Sequence, residues 1–212
     1  GGHPNSYLST VNRDVYPIAE YPYGQWDYMF FYLDNFELVL EQMEEDLEKF
    51  LAITFRRPSE ETISMFNTAE GYKSPTALIT KNGGWFRQDG YQGLSTMPEI
   101  KFDEKILSDK KAKFYIDTFK KNGLRGPNSW YMNGAKNDDY AKELGGFTTI
   151  SKPVLFIAGE NDSVLTPETN SHNAMACTNL TEKSLPTGHW MAMEKPDEVN
   201  QALSSWIQKN FS

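Results

Sequence analysis

The chain has 212 residues, 29 acidic and 21 basic, for a net charge of −8. Thirteen Phe, eleven Tyr and five Trp exclude a disordered chain, the acidic balance without a long Lys/Arg run argues against nucleic acid as a partner, and no apolar stretch is long enough to span a membrane. One cysteine, Cys177, excludes an internal disulfide and a multi-cysteine zinc site, and the three histidines His3, His172 and His189 leave little for any metal centre.

Gly1-Gly2-His3-Pro4 lacks an initiator Met and an apolar signal core, so it reads as a cloning scar or as the interior of a longer chain. Residues 1–24 read as a connecting segment, 25–147 as a helix-rich zone and 148–212 as strand, helix, strand, helix, with Gly145-Gly146 at the join. Phe36, Leu40, Met43, Leu47 and Phe50 recur at steps of four and three, which predicts one amphipathic helix. Glu41, Glu44, Glu45, Asp46 and Glu48 read as its solvated face. Ser59 to Tyr72 predicts a further short helix, and Gly83-Gly84 with Gly90 to Pro98 a long surface loop. Ser108 is positioned to cap another helix, with Ala112, Tyr115, Ile116 and Phe119 on one face and Gly123 as its stop.

In the second zone Val154 to Ala158 follow Pro153 and predict a strand of a parallel sheet, apolar on both faces. Gly159 to Asp162 turn the chain, Pro167 starts a predicted helix reaching about Cys177, and Thr181 to Leu185 form a weaker strand. Pro196 opens the last helix, with Asp197 and Glu198 in its first turn and Val199, Leu203, Trp206 and Ile207 as its predicted buried face. This order suits a doubly wound α/β sheet, although two strands need further partners to complete one.

Sites in open parallel sheets gather beyond the carboxyl ends of strands. Asp162 and His189 both lie there, 27 residues apart, in the order that places an orienting acid before a general base. The plainer reading makes Asp162 a turn-forming side chain and His189 an ordinary loop residue.

Lys152 to Asp162, Gly188-His189-Trp190 and Glu194 to Asn200 resemble the C-terminal end of the α/β-hydrolase-fold epoxide hydrolases. Leu124-Arg125-Gly126-Pro127-Asn128-Ser129-Trp130-Tyr131 resembles that family's lid motif, and Trp26 to Tyr32 the segment with its other lid tyrosine. The resemblance implies an α/β fold: the C-terminal part of a doubly wound hydrolase sheet (148–212) with an α-helical cap domain (25–147). It implies Tyr28 and Tyr131 as acids on the oxirane oxygen, His189 as the base that activates water and Asp162 as its orienting acid. The reaction it implies is hydrolysis of an epoxide to a vicinal diol through an alkyl-enzyme ester, with no cofactor and no metal. The aromatic lid suggests a small hydrophobic epoxide as substrate. Trp130 reads as a packing residue or as part of the cavity lining.

The family's nucleophile elbow and its His-Gly-x-Pro-like segment are absent from the sequence. The chain is therefore expected to be the cap and C-terminal part of such an enzyme, inactive alone and partnered by the missing N-terminal half. A haloalkane dehalogenase-like hydrolase and a non-catalytic small-molecule receptor of the same fold are the alternatives. The low cysteine content is compatible with a cytoplasmic setting.

Overall fold

The computed structural model describes residues 7–68, 71–145, 149–166, 169 and 173–211. The expectations placed on His3, Gly146, Pro167 and His172 lie outside them. In chain order the main elements are helices α1 (Asp27–Glu44), α2 (Leu47–Thr54), α3 (Glu60–Phe66), α4 (Asp109–Asn122) and α5 (Gly134–Glu143), strands β1 (Val154–Gly159) and β2 (Leu180–Leu185), and helix α6 (Pro196–Phe211). No helix of the described residues is long and apolar enough to cross a membrane. The chain divides into two compact units, Gly1–Arg56 with Lys73–Asp138, and Arg57–Tyr72 with Asp139–Ser212.

The first unit is helical. The spacing of Phe36 to Phe50 predicts one helix, but the chain forms two. Asp46 leaves helical geometry at φ −144° and ψ 89°, and its side chain accepts a hydrogen bond from Lys49 N at 3.0 Å. A short acceptor that reaches backbone N–H groups favours a cap over helix continuation. All five apolar side chains still feed one core, with Leu40, Met43 and Leu47 buried and Phe36 and Phe50 packed against it. At a second departure, Asn35 in α1 (φ −134°, ψ 36°), the side chain instead donates from Nδ2 to Phe31 O at 3.2 Å.

The acidic run does more than face solvent. Glu44 Oε1 accepts from Leu124 N at 2.6 Å, and the two oxygens of Glu45 accept from Leu94 N and Ser95 N at 3.1 and 3.2 Å. Lys49 is buried, and its ammonium donates to Leu94 O and Met97 O at 3.0 and 3.2 Å, beside Asp46 at 3.3 Å. Carboxylates and ammonium together satisfy loop backbone groups that burial would otherwise leave orphaned. The segment predicted as a surface loop is thus partly core: Phe86 and Leu94 are buried.

Gln42 organises the turn that carries Trp85. Its amide donates to Gly83 O at 3.3 Å and its carbonyl accepts from Trp85 N at 2.8 Å. Gly84 sits at φ +135°, and a Cβ there would stand 2.1 Å from Gln42 Nε2. Gly84→Ala combines backbone strain with overpacking and is expected to cost about 3 kcal/mol, read as a lowered midpoint in chemical denaturation.

The second unit holds a parallel two-stranded ladder, with Val154 opposite Leu180 and Gly159 opposite Leu185. The sequence predicts β1 as buried on both faces. Among its described residues only Ala158 and Gly159 are buried, because one neighbouring strand covers one edge and leaves the rest half-buried. Helix α3 forms as expected, capped by Ser59 Oγ on Thr62 N at 3.1 Å. Between the strands a short helix covers Asn173–Ala176, and Cys177 pairs by a single bridge with Ile150. Helix α6 starts at Pro196 as predicted, but its buried face is corrected. Ala202 is buried, whereas Leu203 and Ile207 are 40% and 51% exposed and Val199 and Trp206 half-buried. The apolar stripe is real, and the described residues cover only its margin.

Candidate active site

The first unit brings Tyr28 and Tyr131 together. Tyr28 lies in the first turn of α1, and its ring meets Tyr131 edge-to-face at 5.5 Å between centroids and 79° between planes. The Tyr131 segment is docked from several directions. Helix α4 ends at Gly123, Leu124 buries its side chain and gives its N–H to Glu44, and Arg125 pairs with Glu37 while its guanidinium lies 5.6 Å from the centre of the Phe36 ring. Asn128 Nδ2 then ties back to Leu124 O at 3.0 Å. The Arg-Gly-Pro turn therefore works as a fastener to α1, and Tyr131 follows it onto the Tyr28 face. Trp130 takes no packing role here: its side chain is 71% exposed.

Sequence reasoning missed two members of this group. Tyr32, one turn after Tyr28, is 2% exposed and packs edge-on against both Tyr131 (4.9 Å, 74°) and Tyr28 (5.7 Å, 83°). Trp85 packs edge-on against Tyr28 and Tyr32. The i, i+4 spacing of Tyr28 and Tyr32 was the available signal. Burial, followed by the neighbouring Tyr131 and Tyr28, pushes the Tyr32 phenol well above its ordinary range, so Tyr32 stays neutral. Its ring backs the other two edge-on and supports the angle at which they meet.

The second unit brings Asp162 and His189 together. Asp162 lies three residues past the end of β1, and His189 lies four past the end of β2, so the parallel register carries both to the same end of the ladder. Asn161 N donates to Thr187 O at 2.9 Å and Glu160 N to Leu185 O at 2.9 Å, which laces the two loops together. A Cβ at Gly159 would stand 2.5 Å from Gly188 O, so only glycine permits this approach. His189 Nδ1 lies 2.8 Å from Asp162 Oδ2.

The two oxygens of Asp162 divide the work. Oδ1 accepts from Val164 N and Leu165 N at 2.9 and 3.0 Å, forming the turn that the plainer reading predicts. Oδ2 is left for the imidazole. Burial alone would raise the Asp162 carboxyl, but the His189 hydrogen bond and charge and the two backbone N–H groups outweigh it and hold it below the ordinary range. The same hydrogen bond raises His189, against partial desolvation and with help from the charges of Asp162 and Glu194. An Asp162 carboxylate favours the tautomer with the proton on Nδ1, which leaves the Nε2 lone pair free to accept one. The Asp162 side chain is 4% exposed and the His189 side chain 51%, so the carboxylate is buried while the imidazole stays reachable.

No cluster of metal-ligating side chains occurs among the described residues. No family model matches the chain. It is 34% identical over 182 residues to the bifunctional epoxide hydrolase 2 of Mus musculus and 31% identical over 179 residues to that of Rattus norvegicus, each match covering 82% of this chain and 29% of the relative. Over about four fifths of its length the chain is thus a relative of epoxide hydrolases, and its structural neighbours are epoxide hydrolases of α/β-hydrolase fold. The crystal structure of epoxide hydrolase A from Mycobacterium thermoresistibile superposes with a TM-score of 0.62 at 22% identity, over 85% of this chain and 51% of that one, which supports the fold. The chain thus spans 29% of the length of its rodent relatives. Its helical unit and two-stranded ladder are consistent with the cap and C-terminal portion of the fold.

Proposed function

We propose that this chain supplies the ring-opening acids and the water-activating base of an enzyme that converts a hydrophobic epoxide into a vicinal diol. The hydrogen bond from His189 Nδ1 to Asp162 Oδ2 carries the reading, because it leaves Nε2 as a base on a half-exposed ring. The ring pair Tyr28–Tyr131 supplies the complementary acids. In the first step a carboxylate from the part of the enzyme that this chain does not span attacks an oxirane carbon. The C–O bond of the ring breaks, an ester C–O bond forms, and the ring oxygen takes a proton from Tyr28 or Tyr131. Donors placed where negative charge grows lower that barrier. In the second step His189 Nε2 takes a proton from water, and the resulting hydroxide adds to the ester carbonyl. Collapse of the tetrahedral adduct releases the diol and restores the carboxylate, and the proton on His189 returns the tyrosinate to a phenol. Asp162 stays ionised throughout and stabilises the imidazolium. Two modest barriers replace one high barrier.

A direct test follows diol formation from styrene oxide by the full-length protein, with chloride release from 1-chlorobutane measured in parallel. Diol without chloride is expected. Chloride release, or neither product, would sink the reading. The 212-residue chain alone is expected to form no diol, and turnover by it that vanishes in His189→Ala would show that no outside carboxylate is needed.

A further inference from the structure

Thr187 to Trp190 form the loop that presents His189, and Asp162 holds only its tip. The loop root is anchored by backbone bonds of Thr187, whose side chain is buried. Between root and tip stands Gly188, whose N–H has no backbone partner among the described residues. That N–H donates to Glu194 Oε2 at 3.0 Å. Glu194 closes the single helical turn Met191–Glu194, with its own N–H on Trp190 O at 2.9 Å, so its backbone and side chain bracket His189 from both sides in sequence. Its other oxygen, Oε1, is buried and meets no hydrogen-bond donor among the described residues.

A buried carboxylate oxygen without a donor is costly. If the site needed only an acceptor for Gly188 N–H, the neutral amide of glutamine would provide one more cheaply. The charge itself therefore has a use, and the group that benefits is the neighbouring imidazole. The charged groups acting on His189 are Asp162 and Glu194, and the Trp190 ring stands edge-on to it at 5.2 Å and 83°.

We propose that Glu194 is a positioning residue for His189: it clamps the loop through Gly188 N–H and adds a second negative charge that acts on the imidazole, supporting the cation that forms when His189 takes a proton. The catalytic consequence rests on the epoxide-hydrolase reading, whereas the clamp and the charge do not. In that reaction Asp162 orients the ring, and Glu194 keeps the loop from sliding as the ring becomes charged.

The test is NMR on this chain. The imidazole signals are titrated, with His189 assigned from its loss in His189→Gln, and exchange of the Gly188 amide is followed. Glu194→Gln keeps an acceptor and removes the charge, so the His189 midpoint is expected to move down while Gly188 stays protected. Glu194→Ala removes both, so the midpoint moves down and Gly188 exchange accelerates about tenfold, the value of one hydrogen bond. An unmoved midpoint in Glu194→Gln would overturn the proposal by reducing Glu194 to a structural clamp. Unchanged Gly188 exchange in Glu194→Ala would overturn it by removing the clamp. Absence of epoxide turnover in the full-length protein would defeat the functional reading and leave these titrations standing.

Discussion

Replacing His189 by Gln in the full-length enzyme is expected to leave epoxide consumption limited to one equivalent per protein, with the product held as a covalent ester. Loss of a general base costs about 10²–10⁴-fold in the step it serves, and in the proposed reaction that step is ester hydrolysis. Ring opening needs no base, so the burst of alkylation survives. Intact-protein mass spectrometry after mixing with excess epoxide reads the trapped adduct as an increase of one substrate mass. Asp162→Asn should act in the same direction, because the amide favours the wrong tautomer of a ring whose Nδ1 now faces Oδ2 at 2.8 Å. The pH profile follows from the sign of the His189 shift. Its conjugate acid is raised by the Asp162 hydrogen bond, so the free base appears only as pH rises through that elevated value. The hydrolytic step should therefore accelerate with pH and level off above it. A flat profile, or no adduct in the Gln variant, would remove His189 from the role. Water takes over part of the hydrogen bonding of the half-exposed ring and Asp162 keeps its two backbone N–H partners, so the variant should still fold.

The second large effect belongs to the phenols and falls on the opposite step. Tyr131→Phe or Tyr28→Phe should slow alkylation about 10²-fold each, the typical cost of losing one donor to a developing oxyanion. The double variant should lose far more than either, since one remaining phenol can still protonate the ring oxygen. Stopped-flow quenching of tryptophan emission by the epoxide follows alkylation directly, and Trp85, packed against Tyr28, is suitably placed to report it. Ester hydrolysis measured on preformed adduct should be unchanged. Single variants as fast as the parent would return both rings to ordinary packing.

The sequence showed the candidate groups most clearly where they depend on local chain geometry. Asp162 and His189 stand a few residues past strand ends, and a parallel register brings such positions together whatever surrounds them. The turn role of Asp162 and its contact with His189 looked like rival readings from sequence, and both hold because a carboxylate has two oxygens. Tyr32 was harder to see, since an aromatic one turn from another looks like core filling, and only its contact with Tyr131, across most of the unit, gives it a purpose. Lys49 was invisible for the same reason: its partners Leu94 and Met97 lie 45 and 48 residues away. The break at Asp46 followed from a capping bond that outweighed a continuous apolar stripe. Along α6, periodicity marks which side is apolar but not what covers it, and so it predicts burial for Leu203 and Ile207, which the described residues leave exposed.

The divided duty of Asp162 bears on how copies of such a gene decay. A duplicate released from selection for turnover would still be punished for losing Asp162, because Oδ1 secures the turn at Val164 and Leu165, whereas loss of the more exposed His189 would bring a lighter penalty. In a survey of divergent paralogues the aspartate would outlast the proposed chemistry, and the imidazole would be the better marker of it.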